Sequence, residues 1–324
     1  MANNKDKMKL NYNSKIYVAG HTGMVGSAIV RRLELDGYNN ILKRTSHELN
    51  LLNQSDTDNF ISVERPDCVI LAAAKVGGIG ANIKQPAEFL MENLLIQNNV
   101  IYASWKYGVK KLIFLGSSCI YPKEARQPLK EDYLLSGKLE STNEGYAIAK
   151  IAGIKACEYY NMEHGCDFVS VMPPNLYGPN DNFDLENSHI VAALIRKMHH
   201  AKLTNAPYVE IWGTGKQYRE LMHVDDLADA ILFIMGNYHE SKFINIGTGK
   251  DATIKEIAET IKQIIGYKGD LLFDETKPDG MHKKVLDVGH INKLGWRSKI
   301  SFEDGIRSTY KWYVEQLKKN KNQE

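Results

Sequence analysis

Cysteine is scarce in this chain and is not spaced for structural use. The four in 324 residues, Cys68, Cys119, Cys157 and Cys166, form no CxxC pair, so neither a metal site nor a disulfide framework is expected and the thiols read as free. Long apolar runs are missing as well: none approaches the roughly 18 residues that would span a bilayer. Residues 1–15 are polar where a secretory signal needs an apolar core, so a cytoplasmic protein with no membrane partner is the expectation. Charge of one sign is not in excess either. The formal net charge of +2 provides no basic field for nucleic acid. Repeats, linkers and low-complexity stretches are absent apart from a charged tail over 318–324. A chain of this length has room for one large domain or two closely joined ones with a substantial core.

What is present is a regular alternation of short apolar runs and longer amphipathic ones. The first apolar run, 15–19, leads into Gly20, His21, Thr22, Gly23, Met24, Val25 and Gly26, and an amphipathic stretch to Leu35 follows. In such a strand, turn and helix, the first glycine turns the chain, the second lets backbone approach a pyrophosphate, and the third packs helix on strand. The helix N-terminus then offers free N–H groups to phosphates. A second strand near 40–43 ends in Lys43 and Arg44, where an NAD site would present a carboxylate to the ribose hydroxyls. A base at that place suits a 2′-phosphate. NADP(H) is therefore the expected cofactor, with Arg44 its contact; the alternative is a solvated pair of charges at a strand end.

Further strands are expected at 68–74, 111–116 and 168–172, separated by helices over 86–107 and 143–162. The run 68–74 is apolar throughout, as in a strand covered on both faces of a parallel sheet. Beyond Pro173 the rhythm changes to an irregular loop. Helices at 189–199, 224–235, 254–265 and 302–317 and strands at 208–212 and 243–247 follow. The pattern predicts an α/β fold, a doubly wound parallel sheet of Rossmann type with a smaller C-terminal α/β substrate domain. Residues 1–178 would form the dinucleotide-binding domain, to which the chain returns around 221–248. Residues 179–220 and 249–324 would form the substrate domain.

Tyr146 and Lys150 stand four apart in the helix over 143–162, a spacing that puts both side chains on one face. A charged Lys150 beside the ring would favour phenolate and lower the tyrosine pKa from about 10, which makes Tyr146 a candidate proton donor to a ketone. Such a pair also occurs by chance. Its weight comes from Ser117, Ser118, Cys119, Ile120, Tyr121 and Pro122, which follow directly on the strand at 111–116, where doubly wound sheets bind ligands.

With Ser117, Tyr146 and Lys150 behind a GxxGxxG start, nearly the whole chain resembles the extended short-chain dehydrogenase/reductase family. Residues 75–79, 116–122, 187–189 and 277–280 are similar to the members that act on GDP-4-keto-6-deoxy-D-mannose with NADPH, inverting C3 and C5 and reducing C4. The resemblance implies that Ser117 hydrogen-bonds the C4 oxygen, Tyr146 protonates it, and Lys150 holds the nicotinamide ribose. It further implies that Cys119 and His189 are base and acid of epimerisation, and that Lys197, Trp212, Arg219 and Asp279 bind a GDP-sugar. Cofactor contacts by the same resemblance are Gly20 to Gly26, Arg44, Leu115, Gly116, Ser117, Ser118, Lys150, Pro173, Pro174, Asn175, Leu176 and His189. A homodimer formed by the helices at 86–107 and 143–162 is implied too. Pro174, Gly145, Met281 and His282 depart from the family pattern.

These residue types suit the chemistry without the family name. A C4 ketone acidifies the protons at C3 and C5, and a thiol and an imidazole can exchange them near neutrality. The bland readings are a small buried apolar Cys119 and a His189 that merely opens a helix. A 4,6-dehydratase would need a carboxyl acid and base near the strand end, and 117–122 has none; a 4-epimerase needs no thiol there. A dinucleotide-sensing regulator without turnover would be expected to lose Tyr146 or Lys150, and both are present.

Overall fold

Four consecutive apolar residues follow Lys15, and Ile16–Ala19 forms the first strand, β1, buried along its whole length. The computed structural model describes residues 10–184, 188–277 and 281–321. Behind β1 come α1 (Met24–Leu35), β2 (Ile41–Leu42), α2 (Gln54–Glu64), β3 (Cys68–Leu71), α3 (Ile79–Lys84) and α4 (Pro86–Lys106). The chain continues through β4 (Lys111–Leu115), α5 (Glu144–His164), β5 (Phe168–Met172), β6 (Asn175–Tyr177), α6 (Ile190–Thr204), β7 (Tyr208–Trp212), β8 (Tyr218–His223) and α7 (Val224–Asn237). It ends with β9 (Ile244–Asn245), β10 (Asp251–Thr253), α8 (Ile254–Ile265), β11 (Asp270–Asp274), β12 (Lys283–Lys284), α9 (Gly289–Leu294) and α10 (Phe302–Lys321).

Six strands pair in parallel in the order β2-β1-β3-β4-β5-β9. Every residue of β1, β3, β4 and β5 is buried, because helices cover both faces as the apolar runs required. On one face Val18, Ile70, Ile113 and Val171 pack on Ile29 and Leu33 of α1 and on Leu227, Ile231 and Ile234 of α7. On the other, Tyr17, Val69, Leu112 and Phe114 meet Ile61 of α2, Val100 of α4 and Ile154 of α5. Each such side chain taken from water contributes about 1.5–3 kcal/mol. The winding reverses between β1 and β3, and the crevice beyond the carboxyl ends there is where such sheets take a ligand.

A third core lies outside this sheet. Val191, Ile195 and Met198 of α6, Ile257 and Ile261 of α8, and Ile306 of α10 enclose β7 and β11, which pair in parallel. A separate small sheet is centred on β8, flanked by β10, β12 and β6. The buried carboxylate of Glu220 ties that sheet together by accepting from the amides of Thr248 (2.6 Å), Gly249 (2.8 Å) and Leu286 (2.7 Å).

Several elements differ from the sequence expectation. α2 buries only Thr57 and Ile61, so its polar sequence shows little periodicity. β8, β10 and β12 are strands because of the partners they meet rather than their own patterning, as the lysine pair of β12 illustrates. The strand expected over 243–247 is only two residues, and α6 runs past 199 until Asn205 turns it off in a left-handed conformation. α10 continues through part of the stretch expected to be a charged tail, as far as Lys321. Gly145 has a packing role, since a β-carbon there would come within 2.9 Å of the Pro86 carbonyl oxygen where α4 and α5 meet. No helix among the described residues is long and apolar enough to cross a membrane.

Candidate active site

The turn after β1 is too tight for side chains at two of its glycines. Gly20 has φ +82°, and a β-carbon on Gly26 would lie 2.0 Å from the Gly20 carbonyl oxygen. Gly23 caps α1 without any side-chain hydrogen bond, so the amides of the first turn keep their capacity for an anion. Beside them His21 Nδ1 is buried and has no protein partner. Past the end of β2, Arg44 donates to Glu64 Oε1 (3.0 Å) and lies over Phe60, while 37% of its side chain remains accessible. An uncapped helix start, an orphaned imidazole nitrogen and an accessible guanidinium fit a dinucleotide carrying a 2′-phosphate.

At the carboxyl end of β4 the chain turns sharply. The Gly116 amide donates to Val171 O (2.9 Å) and that of Ser118 to Pro173 O (3.1 Å), which pins Leu115, Gly116, Ser117 and Ser118 to the strand end. Pro174, with no amide hydrogen, leads into β6, where Asn175 and Leu176 pair with β8. The Ser117 hydroxyl accepts from the Cys119 amide (3.3 Å) and starts the short turn that buries Cys119. α5 delivers Tyr146 and Lys150 to the same place. Lys150 Nζ lies 5.7 Å from the Tyr146 ring centre and 4.8 Å from that of Phe114, and it donates to Leu115 O (2.7 Å). All four cysteines are free thiols.

The electrostatics correct one expectation. Tyr146 is not poised as a phenolate: burial pushes its pKa up, the neighbouring Cys119 adds to the rise, and Lys150 provides no offset. The ammonium is itself desolvated, which brings Lys150 down to about 8, and its hydrogen bond goes to a carbonyl rather than to the phenol. In this environment Tyr146 holds its proton. Burial also raises the Cys119 thiol, opposed chiefly by the charge of Lys284 and then by Ser117 and Lys150. His189 stands at the N-terminus of α6, open to the cleft yet closely walled by protein, and its pKa is lowered by that burial and by Lys284. The resting pair is thus a thiol and a neutral imidazole.

Ser117, Cys119, Tyr146 and Lys150 converge, and the charge of Lys284 acts on both Cys119 and His189. Three of the other expected ligands stand on α6, β7 and β8. Lys197 Nζ donates to Glu210 O (3.0 Å), Trp212 is 60% exposed with Lys277 Nζ 5.6 Å from its ring, and Arg219 donates to Tyr218 O and Met281 O. Asp279 lies outside the described residues, as does Asn187. Lys284 and Lys277 were not anticipated. Period-two alternation along β12 would have separated Lys284 from Lys283, but only once that segment is known to be a strand.

The model of the NAD dependent epimerase/dehydratase family matches residues 16–247. A protein named putative GDP-L-fucose synthase 2 from Arabidopsis thaliana is 54% identical, the match covering 96% of this chain and 95% of that protein. GDP-L-fucose synthase of Escherichia coli (strain K12) is 52% identical over 93% of this chain and 97% of its own length. Among solved structures, a GDP-mannoheptose C4 reductase from Campylobacter jejuni with NADP bound superposes with a TM-score of 0.86 at 41% identity, covering 94% of this chain and 99% of that one.

Proposed function

The chain belongs to the NAD dependent epimerase/dehydratase family, and from that premise we propose that it converts GDP-4-keto-6-deoxy-D-mannose to GDP-L-fucose, inverting C3 and C5 and reducing C4 with NADPH. The observation that supports this most is the meeting of a candidate acid, base and hydroxyl near one strand end: Tyr146, Cys119 and Ser117 gather beyond the carboxyl end of β4. Gly20 to Gly26, Arg44, Leu115 to Ser118, Lys150 and Pro173 to Leu176 would hold the cofactor. NADPH, when bound, supplies the hydride for C4.

The residues of the chain do the proton work. The ketone at C4 acidifies its neighbours, and Cys119, once ionised, removes a proton from C3 or C5. The charge then moves to O4, where the hydroxyls of Ser117 and Tyr146 donate to it. Neutral His189 relays a solvent proton to the opposite face, and Cys119 loses the abstracted one to solvent, so no net charge remains. Tyr146, kept protonated by burial, gives its proton to O4 as the alcohol forms. Because the buried thiol ionises above its ordinary value, proton exchange at C3 and C5 should rise with pH across the neutral range.

Lys197, Trp212, Arg219 and Asp279 are assigned to the GDP-sugar; Lys197 and Trp212 stand on α6 and β7, which border the third core. Residues 1–178 and 221–248 serve the dinucleotide, and 179–220 with 249–324 the substrate. The cytoplasm is the expected compartment for four free thiols. A homodimer through α4 and α5 is supported by the exposure of Met91, Leu95, Ile148 and Met162 on those helices.

A second reading is reduction at C4 alone, favoured by the likeness to a C4 reductase. One assay separates the two: purified protein with GDP-4-keto-6-deoxy-D-mannose and NADPH, followed by cofactor absorbance and by product stereochemistry. GDP-L-fucose is the expected product. A product that keeps the mannose configuration at C3 and C5 establishes the second reading, and no NADPH consumption overturns both.

A further inference from the structure

Tyr146 is the third residue of α5, and the side chain of a helical residue leans back toward the helix N-terminus. Its ring therefore projects past the first turn, where α5 has no residues of its own to flank it. The cap of that helix adds nothing: Asn143 makes no side-chain capping bond, and its buried Oδ1 has no partner among the described residues. Lys150 Nζ, one turn further along, stands 5.7 Å from the ring centre. From α4, Phe89 meets the ring edge-to-face, with 6.4 Å between the ring centres and the planes 80° apart. An aromatic neighbour at that angle favours one tilt of its partner, where a flexible aliphatic side chain would accept several.

Phe89 is buried and itself firmly held. It stands in the first turn of α4, where its amide donates to Gln85 O (3.0 Å) and its carbonyl accepts from Asn93 Nδ2 (2.7 Å). The same Asn93 grips the loop after β3 at both backbone groups of one residue. Its Nδ2 also donates to Lys75 O (3.0 Å), and its Oδ1 accepts from the Lys75 amide (3.1 Å). The loop so held lays two groups against the phenylalanine. Lys75 Nζ lies 5.8 Å from its ring centre while donating to Glu92 Oε1 (2.7 Å), and a β-carbon on Gly77 would come within 3.0 Å of Phe89 Cζ. The Phe89 ring is thus held between that loop and Tyr146.

We propose that Phe89 is a positioning residue for C4 reduction: its edge-to-face contact fixes the tilt of the Tyr146 ring and so aims the phenol at O4. The inference rests on Tyr146 being the acid. A proton donor has to lie within about 2.6–3.2 Å of the atom it protonates, and a misplacement of about 1 Å costs about a hundredfold in rate. Proton exchange at C3 and C5 is carried by Cys119 and His189 and shares only the hydrogen bond at O4, so it depends far less on that tilt.

The test compares wild type, Phe89→Leu, Tyr146→Phe and the double variant, each with GDP-4-keto-6-deoxy-D-mannose in deuterated water. NADPH oxidation is followed in a single turnover, and deuterium uptake at C3 and C5 beside it. Phe89→Leu should slow NADPH oxidation about tenfold to a hundredfold and change deuterium uptake by less than about threefold. Placed on Tyr146→Phe, the same change should cost less than about twofold more, because the group it aims is gone. Equal losses in oxidation and uptake, or the full loss repeated on Tyr146→Phe, make Phe89 ordinary core and overturn the proposal. If wild type takes up no deuterium, the comparison on Tyr146→Phe decides alone. Near-normal NADPH oxidation by Tyr146→Phe instead removes the acid assignment itself, whatever Phe89→Leu does. If Phe89→Leu no longer binds NADPH, Phe89→Met takes its place, and loss of NADPH binding in both overturns the proposal in favour of a purely structural role.

Discussion

Removing one oxygen atom, as in Tyr146→Phe, isolates the proton that the proposed mechanism gives to O4. That variant should lose NADPH oxidation by about two to four powers of ten while still exchanging deuterium at C3 and C5 through Cys119. Because burial holds the phenol above its ordinary pKa, the wild-type reduction should not fall through loss of the Tyr146 proton at mildly alkaline pH. Any contact that needs the Lys150 ammonium has the opposite sign: its pKa is lowered to about 8, so the contact weakens as pH rises through that value. A stopped-flow pH series of the hydride step separates the two. Near-normal NADPH oxidation by Tyr146→Phe would remove it as the acid. The shared helix face of Tyr146 and Lys150 was legible from their spacing, and the place of Ser117 and Cys119 from the strand before them, while the roles given to Ser117 and Cys119 rested on the family resemblance. Lys284 was not legible, since its place depends on β12 finding β8 across more than sixty positions of chain.

At the scale of elements, the packing of α4 on α5 sets where Tyr146 can stand. Gln97 Nε2 donates to Ala149 O (2.6 Å), and Gly145 leaves no room for a methyl group beside the Pro86 carbonyl. Gly145→Ala should therefore push the two helices apart, cost about 1–3 kcal/mol of stability, and lower kcat more than its effect on folding explains, because the next residue is the proposed acid. Thermal melting and kcat measured together check this; an unchanged melting temperature would show that the helices yield. α1 and α8 were readable to their ends, since both carry strong apolar periodicity and α8 opens on a Thr253 and Glu256 capping box. β8, β10 and β12 carry no such signal: β10 and β12 are short and mostly polar or charged, β8 mixes apolar and charged residues without clean alternation, and pairing with neighbouring strands makes them strands.

For the whole molecule, the exposed apolar residues of α4 and α5 give an oligomer prediction. Wild type should sediment as a dimer, and Ile148→Asp, which places a charge on that face, should shift it to monomer. A monomeric wild type would end the dimer proposal. The alternation of strands and helices made the parallel sheet legible before any coordinates, whereas the small sheet around β8 had no counterpart in the pattern.

The main sheet does not close with the first half of the chain. Its edge strand, β9, and the cover of one face, α7, come from residues 224–245, after the chain has already built α6, β7 and β8. The part assigned to the sugar nucleotide is therefore not a detachable cassette. A new specificity cannot be grafted onto this scaffold by exchanging a contiguous module, because any cut that frees one lobe takes a strand or a covering helix from the other. Diversification along this lineage has to proceed by side-chain replacement within an undivided framework.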